Sequence, residues 1–395
     1  MSDKYFKLKR IKIKPNDRMK KYLDGCMEYA KYQYNLMLKE KENHFKAFGN
    51  DKYSLFNVYT ELTKQKETWE YMYPNYIRNS ARRRLDSAYE FYFKKKKNKP
   101  KEKTEPQSFT IPYDKFLKRD MFKTTSKTMK FKLPCGEMCP IDKNKRYILL
   151  EEPIQYTDLK EIREIVISKD ANEYYATFCI EIPAPEVVNY QKVVGVDLGL
   201  STFAICSDGK EYNYDIEKLN KLIKKANFYK SQLTRRKSKT SCTQSNNYYK
   251  TKRKYEEVNK KIRNIRFDFI HKTAHELVFN YDIIVVEKMK TTILASKKRG
   301  MGKNFNRNMF NFCFSTFTSF LTNSAKNHGK LCKVVEPSKI AATQLCSNCN
   351  SKKIKSEKLT LKDRVYRCSN CGLTIDRDSN AAFNLYNYGI TLLKQ

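Results

Sequence analysis

Basic and apolar residues alternate in YFKLKRIKIK, and this period of two predicts a strand with one wet, positive face over residues 4–13. From about Asp17 to Phe93 the period lengthens. Leu23, Met27, Ala30, Tyr34 and Met37 recur at three- and four-residue steps, and IRNSARRRLDSAYEFYF sets arginines opposite an apolar face. Both patterns predict amphipathic helices, bundled with one basic side. Next, QSFTIPY, FKLP, YILLEE, REIVIS and YYATFCIEIP are short strand-like runs between turns, a small β-barrel or open antiparallel sheet over roughly 107–185. The N-terminal strand is expected to join it, because an isolated strand leaves its backbone groups unpaired. KKKKNKPKEKTEP (94–106) reads as a low-complexity basic linker, mobile until it meets phosphate.

VVGVD, TFAIC and EYNY predict three further strands, the last two joined through Ser-Asp-Gly-Lys. Asp208-Gly209 suits a type I′ turn, in which both central residues need positive φ. Two long basic helices follow, at about 215–238 and 246–280. In the second, Tyr255, Val258, Ile262, Ile265 and Phe269 form a seam that a partner helix can cover. IIVVE is another β-branched run, and DSNAAFNLYNYGITLL predicts a closing helix with Ala382, Leu385 and Leu392 inward. The basic stretch TTILASKKRGMGKNFNRN, with its glycines, reads as a mobile segment, either plain disorder or a flexible lid.

Composition sharpens this outline. A chain of 395 residues supports two or three domains with real cores. Eighty Lys and Arg against 43 Asp and Glu leave a formal charge of +37, which a polyanion such as nucleic acid would relieve. The N-terminus has no signal-like apolar region and no run reaches membrane-spanning length. A cytoplasmic, nucleoid-associated location in a prokaryote is expected, with no membrane partner. Twelve cysteines in such a chain argue against a disulfide framework. Cys26, Cys179, Cys206, Cys313 and Cys332 lie among apolar residues and read as small buried hydrophobes, and Cys135 and Cys139 as a pair without metal.

Three carboxylates stand out. Asp197 ends the run VVGV, with Gly199 beyond it permitting close backbone approach, and Glu287 ends IIVV. Asp378 sits at the start of the closing helix, one turn from its first core residues, whereas Asp376 reads as the helix N-cap. Three converging acids are a usual ligand set for two Mg²⁺ or Mn²⁺ ions about 3.5–4 Å apart, one activating water and one stabilising a leaving 3′ oxygen. Cys346, Cys349, Cys368 and Cys371 form two knuckles with the spacing of one closed, structural Zn²⁺ site. His271 and His275 lie one turn apart but lack an adjacent glutamate, so they read as ordinary helix residues. Nothing resembles a nucleotide-binding P-loop. Acids, a zinc ribbon and strong positive charge together point to a metal-dependent nuclease.

With those residues in place, the chain resembles the TnpB family of transposon-encoded RNA-guided DNA nucleases, relatives of the compact type V CRISPR effectors. VGVDLGLSTFAICSDGK, IVVEKMK and CGLTIDRDSNAAFN are similar to that family's three RuvC motifs, and RFDFIHK to the helix entering the second. ATQLCSNCN resembles its first zinc knuckle, with Thr343 and Asn350 where Ser and Gly are common. The resemblance implies an α/β multidomain protein. An RNase H-like RuvC nuclease domain (191–335 and 372–395) would hold the catalytic acids Asp197, Glu287 and Asp378, with the zinc ribbon inserted at 336–371. A wedge-like β-barrel would comprise 1–16 and 101–190, and a helical recognition lobe 17–100. It further implies a guide RNA and double-stranded target DNA as partners, with the monomer favoured. A compact type V effector, a nuclease-dead RNA-guided binder, and an unguided transposase or DNA-binding regulator are the alternatives.

Overall fold

Strand β1 (Tyr5–Lys14) is a full member of a sheet, pairing antiparallel with β7 (Glu173–Ile182) from Tyr5 opposite Ile182 to Ile13 opposite Tyr174. The computed structural model describes residues 4–49, 54–95, 98–105, 108–112, 121–125, 127–186, 188–238, 243–289, 313–353, 357–360 and 363–393. The chain divides into two units, Met1–Pro183 and Ala184–Gln395.

In the first unit, β2 (Ser108–Pro112), β3 (Phe122–Thr124), β4 (Met129–Lys132), β5 (Tyr147–Leu150) and β6 (Ile162–Asp170) complete an antiparallel sheet of order β2-β6-β7-β1-β5-β4-β3. No ladder joins β2 to β3 among the described residues, but the sheet curls strongly. At ~4.8 Å per strand step, β4 and β3 would lie roughly 14 and 19 Å from β7 on a flat sheet. Phe131 and Phe122 instead bring their ring centroids within 6.5 and 6.3 Å of Phe178 on β7. Alternate residues Phe109, Ile111, Ile165, Ile167 and Ile180 fill the concave side.

Helix α1 (Asp17–Phe48) starts where the Asn16 side chain accepts from the Met19 amide at 2.9 Å. It ends at Gly49, whose φ of 67° needs no Cβ. Its first half packs Met19, Leu23 and Met27 on the sheet, while Tyr34, Met37 and Leu38 meet α2 (Leu55–Lys64) and α3 (Asn75–Lys95). Beneath a 3₁₀ turn (Thr68–Met72), the buried Glu70 carboxylate accepts from Tyr29 Oη (2.9 Å), Gln33 Nε2 (2.6 Å) and Arg78 Nη2 (3.2 Å). The basic linker expected to be mobile is tied down over its described part. Asn35 exchanges two hydrogen bonds with the Lys103 backbone (2.9 and 2.8 Å), Lys103 Nζ lies 3.9 Å from the Tyr34 ring centroid, and Lys99 pairs with Glu42 at 3.1 Å. These contacts with the first helix hold it without phosphate.

After a short helix, α4 (Tyr156–Leu159), in the first unit, the second unit opens with β8 (Val193–Leu198), β9 (Ala204–Cys206) and β10 (Glu211–Tyr212). With β11 (Ile283–Glu287) and β12 (Leu331–Val335) they form a sheet of order β10-β9-β8-β11-β12. Strands β8, β11 and β12 are mutually parallel, and β9 and β10 antiparallel. The β9–β10 connection differs from the expected type I′ turn. Among the described residues there only Gly209 takes positive φ (84°), and Cys206 pairs with Lys210 across a three-residue loop. That is a turn closed by a glycine bulge, which needs one left-handed residue rather than two.

The unbroken apolar runs of β8 and β11 are explained by burial on both faces. Val194, Val196, Ile284 and Val286 meet α6 (Asn246–Asn280) and a helix at Phe314–Asn327. Val193, Ile283 and Val285 meet the C-terminal helix, Arg377–Leu393. The seam read from α6 is covered by α5 (Ile216–Arg236), through Leu219 and Ala226 against Val258 and Ile262. Phe269 departs from that seam and joins the sheet's core. The stretch read as a lid lies outside the described residues. No described helix is long and apolar enough to cross a membrane.

The Glu70–Arg78 ion pair carries a direct consequence, since removing one partner strands a buried charge. Arg78→Ala should cost about 3–5 kcal/mol in the first unit, read by urea denaturation followed by far-UV circular dichroism. An unchanged midpoint would show that the network is not structural.

Candidate active site and zinc centre

Parallel pairing sets Val196 opposite Val286, so Asp197 and Glu287 come next on neighbouring strand ends. Strand alternation puts both on the face carrying Val193 and Val285, where the C-terminal helix packs. That helix lies almost backbone to backbone on β8. A Cβ on Gly195 would fall 2.1 Å from the Ala382 carbonyl oxygen and 2.3 Å from the Tyr386 nitrogen. A Cβ on Gly389 would fall 2.5 Å from Val193 Cγ1. These contacts fix the helix antiparallel to the strand. Going from Gly389 back to Asp378 covers about 16 Å of helix, and from Val193 to Asp197 about 13 Å of strand. Asp378 is thereby carried to the strand end that holds Asp197.

Electrostatics registers the convergence. Burial pushes the Asp197 carboxyl well above its ordinary range, the charges of Asp378 and Glu287 push it further, and Arg377 opposes them. Burial also raises Glu287. Asp378 is held by its own neighbours: Arg377 donates to Oδ1 from Nε (2.9 Å) and Nη2 (2.7 Å), and Arg364 approaches Oδ2 at 3.5 Å. Asp376 is the N-cap that the sequence suggested, its Oδ1 accepting from the amides of Asp378 (2.9 Å) and Ser379 (3.0 Å). An all-carboxylate set suits hard divalent cations such as Mg²⁺ or Mn²⁺. The acids share a field rather than a closed shell. Among the described residues, only the cysteine quartet gathers three or more donor atoms within 4.8 Å.

In that quartet, Cys346 Sγ lies 3.6 Å from Cys371 Sγ, and Cys349 Sγ 3.6 Å from Cys368 Sγ. Tetrahedral Zn²⁺ at about 2.3 Å from each sulfur needs separations of roughly 3.8 Å, so the four residues fit one ion. Each knuckle turns back through a left-handed residue, Asn350 (φ 59°) and Gly372 (φ 73°), whose amides donate to Cys346 and Cys368 carbonyls. Asn tolerates that conformation, which explains how it stands where glycine is common. Hydrogen bonds from Asn370 and the Ser351 amide pull the Cys349 thiol down, favouring the thiolate that metal binding needs. The two helix histidines pack against aromatic rings. His271 packs 3.8 Å from the Phe320 ring and is lowered by burial, and His275 stacks on Phe279.

Sequence reasoning missed the residues that assemble the site. Gly199 was read as a point of close approach and is one within its own turn, where a Cβ would fall 2.8 Å from the Thr202 carbonyl oxygen and its amide donates to Phe203 O. The approach that seats the C-terminal helix is at Gly195, which was missed, and a lone glycine inside a β-branched strand was the available signal. A row of asparagines on the C-terminal helix was missed too. Asn380 and Asn384 each donate to Leu345 O at 2.7 Å, Asn380 accepts from the Ser347 amide at 3.0 Å, and Asn387 donates to Ser347 O at 2.9 Å. Arg377 Nη1 reaches Thr360 O at 3.2 Å. The ribbon is thus fastened to the helix that carries Asp378.

A mixed sheet ending in acids, with a cysteine ribbon before the last of them, meets its counterpart in known proteins. A family of probable transposases, OrfB_IS605, matches residues 177–297, and the TNB domain of Cas12f1-like proteins matches residues 314–385. In sequence the chain is similar to TnpB-like proteins. It is 24% identical to InsQ of Escherichia coli (strain K12) over 396 residues, covering 95% of this chain and 89% of InsQ. A TnpB-like protein of Acanthamoeba polyphaga mimivirus is 28% identical over 235 residues, 55% of this chain, and the match spans only 41% of that relative's length. A TnpB-like protein of Methanocaldococcus jannaschii is 28% identical over 240 residues, 57% of this chain and 77% of its own. The fold is shared with the cryo-EM structure of a Cas12f1–sgRNA–target DNA complex, at a TM-score of 0.62 and 14% identity, covering 94% of this chain and 82% of that one.

Two predictions follow from the charges and sulfurs. An acid raised in the folded state binds more protons than its unfolded counterpart, so its ionisation penalises the metal-free fold as pH rises above roughly 4. Asp197→Asn should therefore raise the melting temperature of the metal-free protein at neutral pH, with the gain fading as pH falls below that window. Added Mg²⁺ should stabilise the unsubstituted protein and not the variant. A variant no more stable at any pH would remove the mutual repulsion. Cys368→Ser should lose zinc by elemental analysis and local order by amide exchange; unchanged zinc content would refute the quartet.

Proposed function

We propose that the chain is an RNA-guided DNA endonuclease. It cuts target DNA by divalent-metal-dependent phosphodiester hydrolysis at Asp197, Glu287 and Asp378, in an RNase H-like RuvC domain. The observation that carries this reading is the delivery of three acids to one strand end in a TnpB-like chain, with Asp197 raised by the charges of the other two. InsQ and a Streptomyces pristinaespiralis relative carry the name of RNA-guided DNA endonuclease. Two Mg²⁺ or Mn²⁺ ions held by the three acids would supply an activated water and leaving-group stabilisation. The chain's own part is to present the carboxylates on rigid strand ends, exclude solvent around Asp197, and hold Asp378 in line through Arg377.

The remaining architecture follows on the same reading. The curled sheet of the first unit is the wedge, the helices over 17–100 are the recognition lobe, and the zinc ribbon is structural. Guide RNA and target DNA account for the charge of +37, with base pairing supplying sequence specificity. A compact type V CRISPR effector shares this chemistry and differs in genomic context.

The test is to purify the protein from cells carrying its native flanking DNA and sequence the RNA that accompanies it. A discrete species should appear, and with it the protein should cut a matching duplex only when Mg²⁺ or Mn²⁺ is present. Asp197→Ala should abolish cutting while RNA and DNA binding persist. Random RNA fragments, or cutting at an undiminished rate by the variant, would contradict the proposal.

A further inference from the structure

Trp69 is the chain's single tryptophan, yet it stands 46% exposed beside Tyr32, itself 42% exposed. Together with Tyr29, Tyr73 and Lys39, they line a cavity of about 550 Å³ on the first helix of the first unit. That is room for a planar heterocycle. Three rings surround Trp69 edgewise: Tyr29 at 5.9 Å and 85°, Tyr32 at 5.5 Å and 65°, and Tyr73 at 6.4 Å and 79°. None lies parallel to it, so a flat guest has no stacking competitor among them.

The platform is also rigid. Trp69 precedes Glu70, whose buried carboxylate is gripped by Tyr29, Gln33 and Arg78, and the turn is closed by a reciprocal capping box between Glu67 and Glu70. A buried ion pair is a costly way to hold a five-residue turn for stability alone. It does fix the angle at which the indole meets solvent. The rim carries charges of both signs. Lys39 lines it exposed and without an ion pair among the described residues, Lys31 is matched by Glu28 at 2.6 Å, and Glu102 lines it as well, so Lys39 is the cation open to a phosphate. Nearby, Lys66 sits 3.9 Å over the Tyr71 ring. Aromatic faces interleaved with lysine are the chemistry of a stacking platform for single strands.

We infer that the Trp69–Tyr32 cradle binds an unpaired nucleobase, with Lys39 meeting an adjacent phosphate. The inference rests on the nucleic-acid reading above and names a contact within it. Because Trp69 is the single tryptophan, emission of the full-length protein excited at the red edge, where the 28 tyrosines do not absorb, reports on this site alone. Short single-stranded ribo- and deoxyribo-oligonucleotides are titrated in, with abasic strands of equal length as controls, while anisotropy of a labelled strand tracks binding independently. Base-bearing strands should quench Trp69 and abasic strands should bind without quenching. Whichever sugar quenches at lower concentration identifies the strand bound. Trp69→Leu and Tyr32→Ala should each weaken binding by roughly five- to a hundredfold, whereas Trp69→Phe, which keeps a ring, should retain most of it. Lys39→Ala should flatten the salt dependence.

Binding by anisotropy with unchanged emission, or Trp69→Leu binding like the unsubstituted protein, would overturn the cradle and leave the endonuclease reading intact. No oligonucleotide binding at all would overturn both.

Discussion

The backbone contact between Gly195 and the Ala382–Tyr386 segment is the constraint on which the candidate site depends. It holds the C-terminal helix against β8 at a distance no side chain on residue 195 would permit. Gly389 makes the same concession against Val193 at the far end. With both ends pinned, the start of the helix has only one place to go, and Asp378 is delivered beside Asp197. Asp197 and Glu287 need no such device, because parallel register sets them side by side. The price is electrostatic, since three acids converge on a site where Asp197 is only 7% exposed. Arg377 and Arg364 offset part of that repulsion through Asp378. Divalent cations would offset the rest.

The cysteine ribbon gains a second meaning from this geometry. Its knuckle backbone is tied to Asn380, Asn384 and Asn387, one face of the same helix, and Arg377 joins Thr360 of the ribbon to Asp378. A closed four-sulfur site does no chemistry on its own substrate. It can still set the position of a carboxylate some residues along the chain, because buried side-chain amides transmit a backbone shift directly. The insertion of the ribbon between the second and third acids is then mechanically sensible.

Much of this was legible in the sequence because period and spacing are local properties. The helices read at about 215–238 and 246–280 are found at Ile216–Arg236 and Asn246–Asn280, and these, the strands carrying Asp197 and Glu287, and the quartet were readable from residue type and interval. The glycines were legible only as an oddity, since the atoms that crowd Gly195 come from almost 190 residues further along. The linker at 98–105 was misread for the same reason. Its composition describes a solvated chain, and what holds it is a pair of hydrogen bonds from Asn35, which composition does not reveal. The hairpin after β9 failed on a finer point: Asp-Gly serves two turn types, and loop length rather than sequence decided between them.

The measurement that bears most directly on the central claim is anomalous diffraction from crystals of the protein soaked in Mn²⁺, recorded at the manganese and zinc edges. A zinc signal among Cys346, Cys349, Cys368 and Cys371, with manganese bounded by Asp197, Glu287 and Asp378, is the expected result. A zinc signal in the ribbon with no manganese between the three acids, under conditions where the protein cuts DNA, would contradict the account.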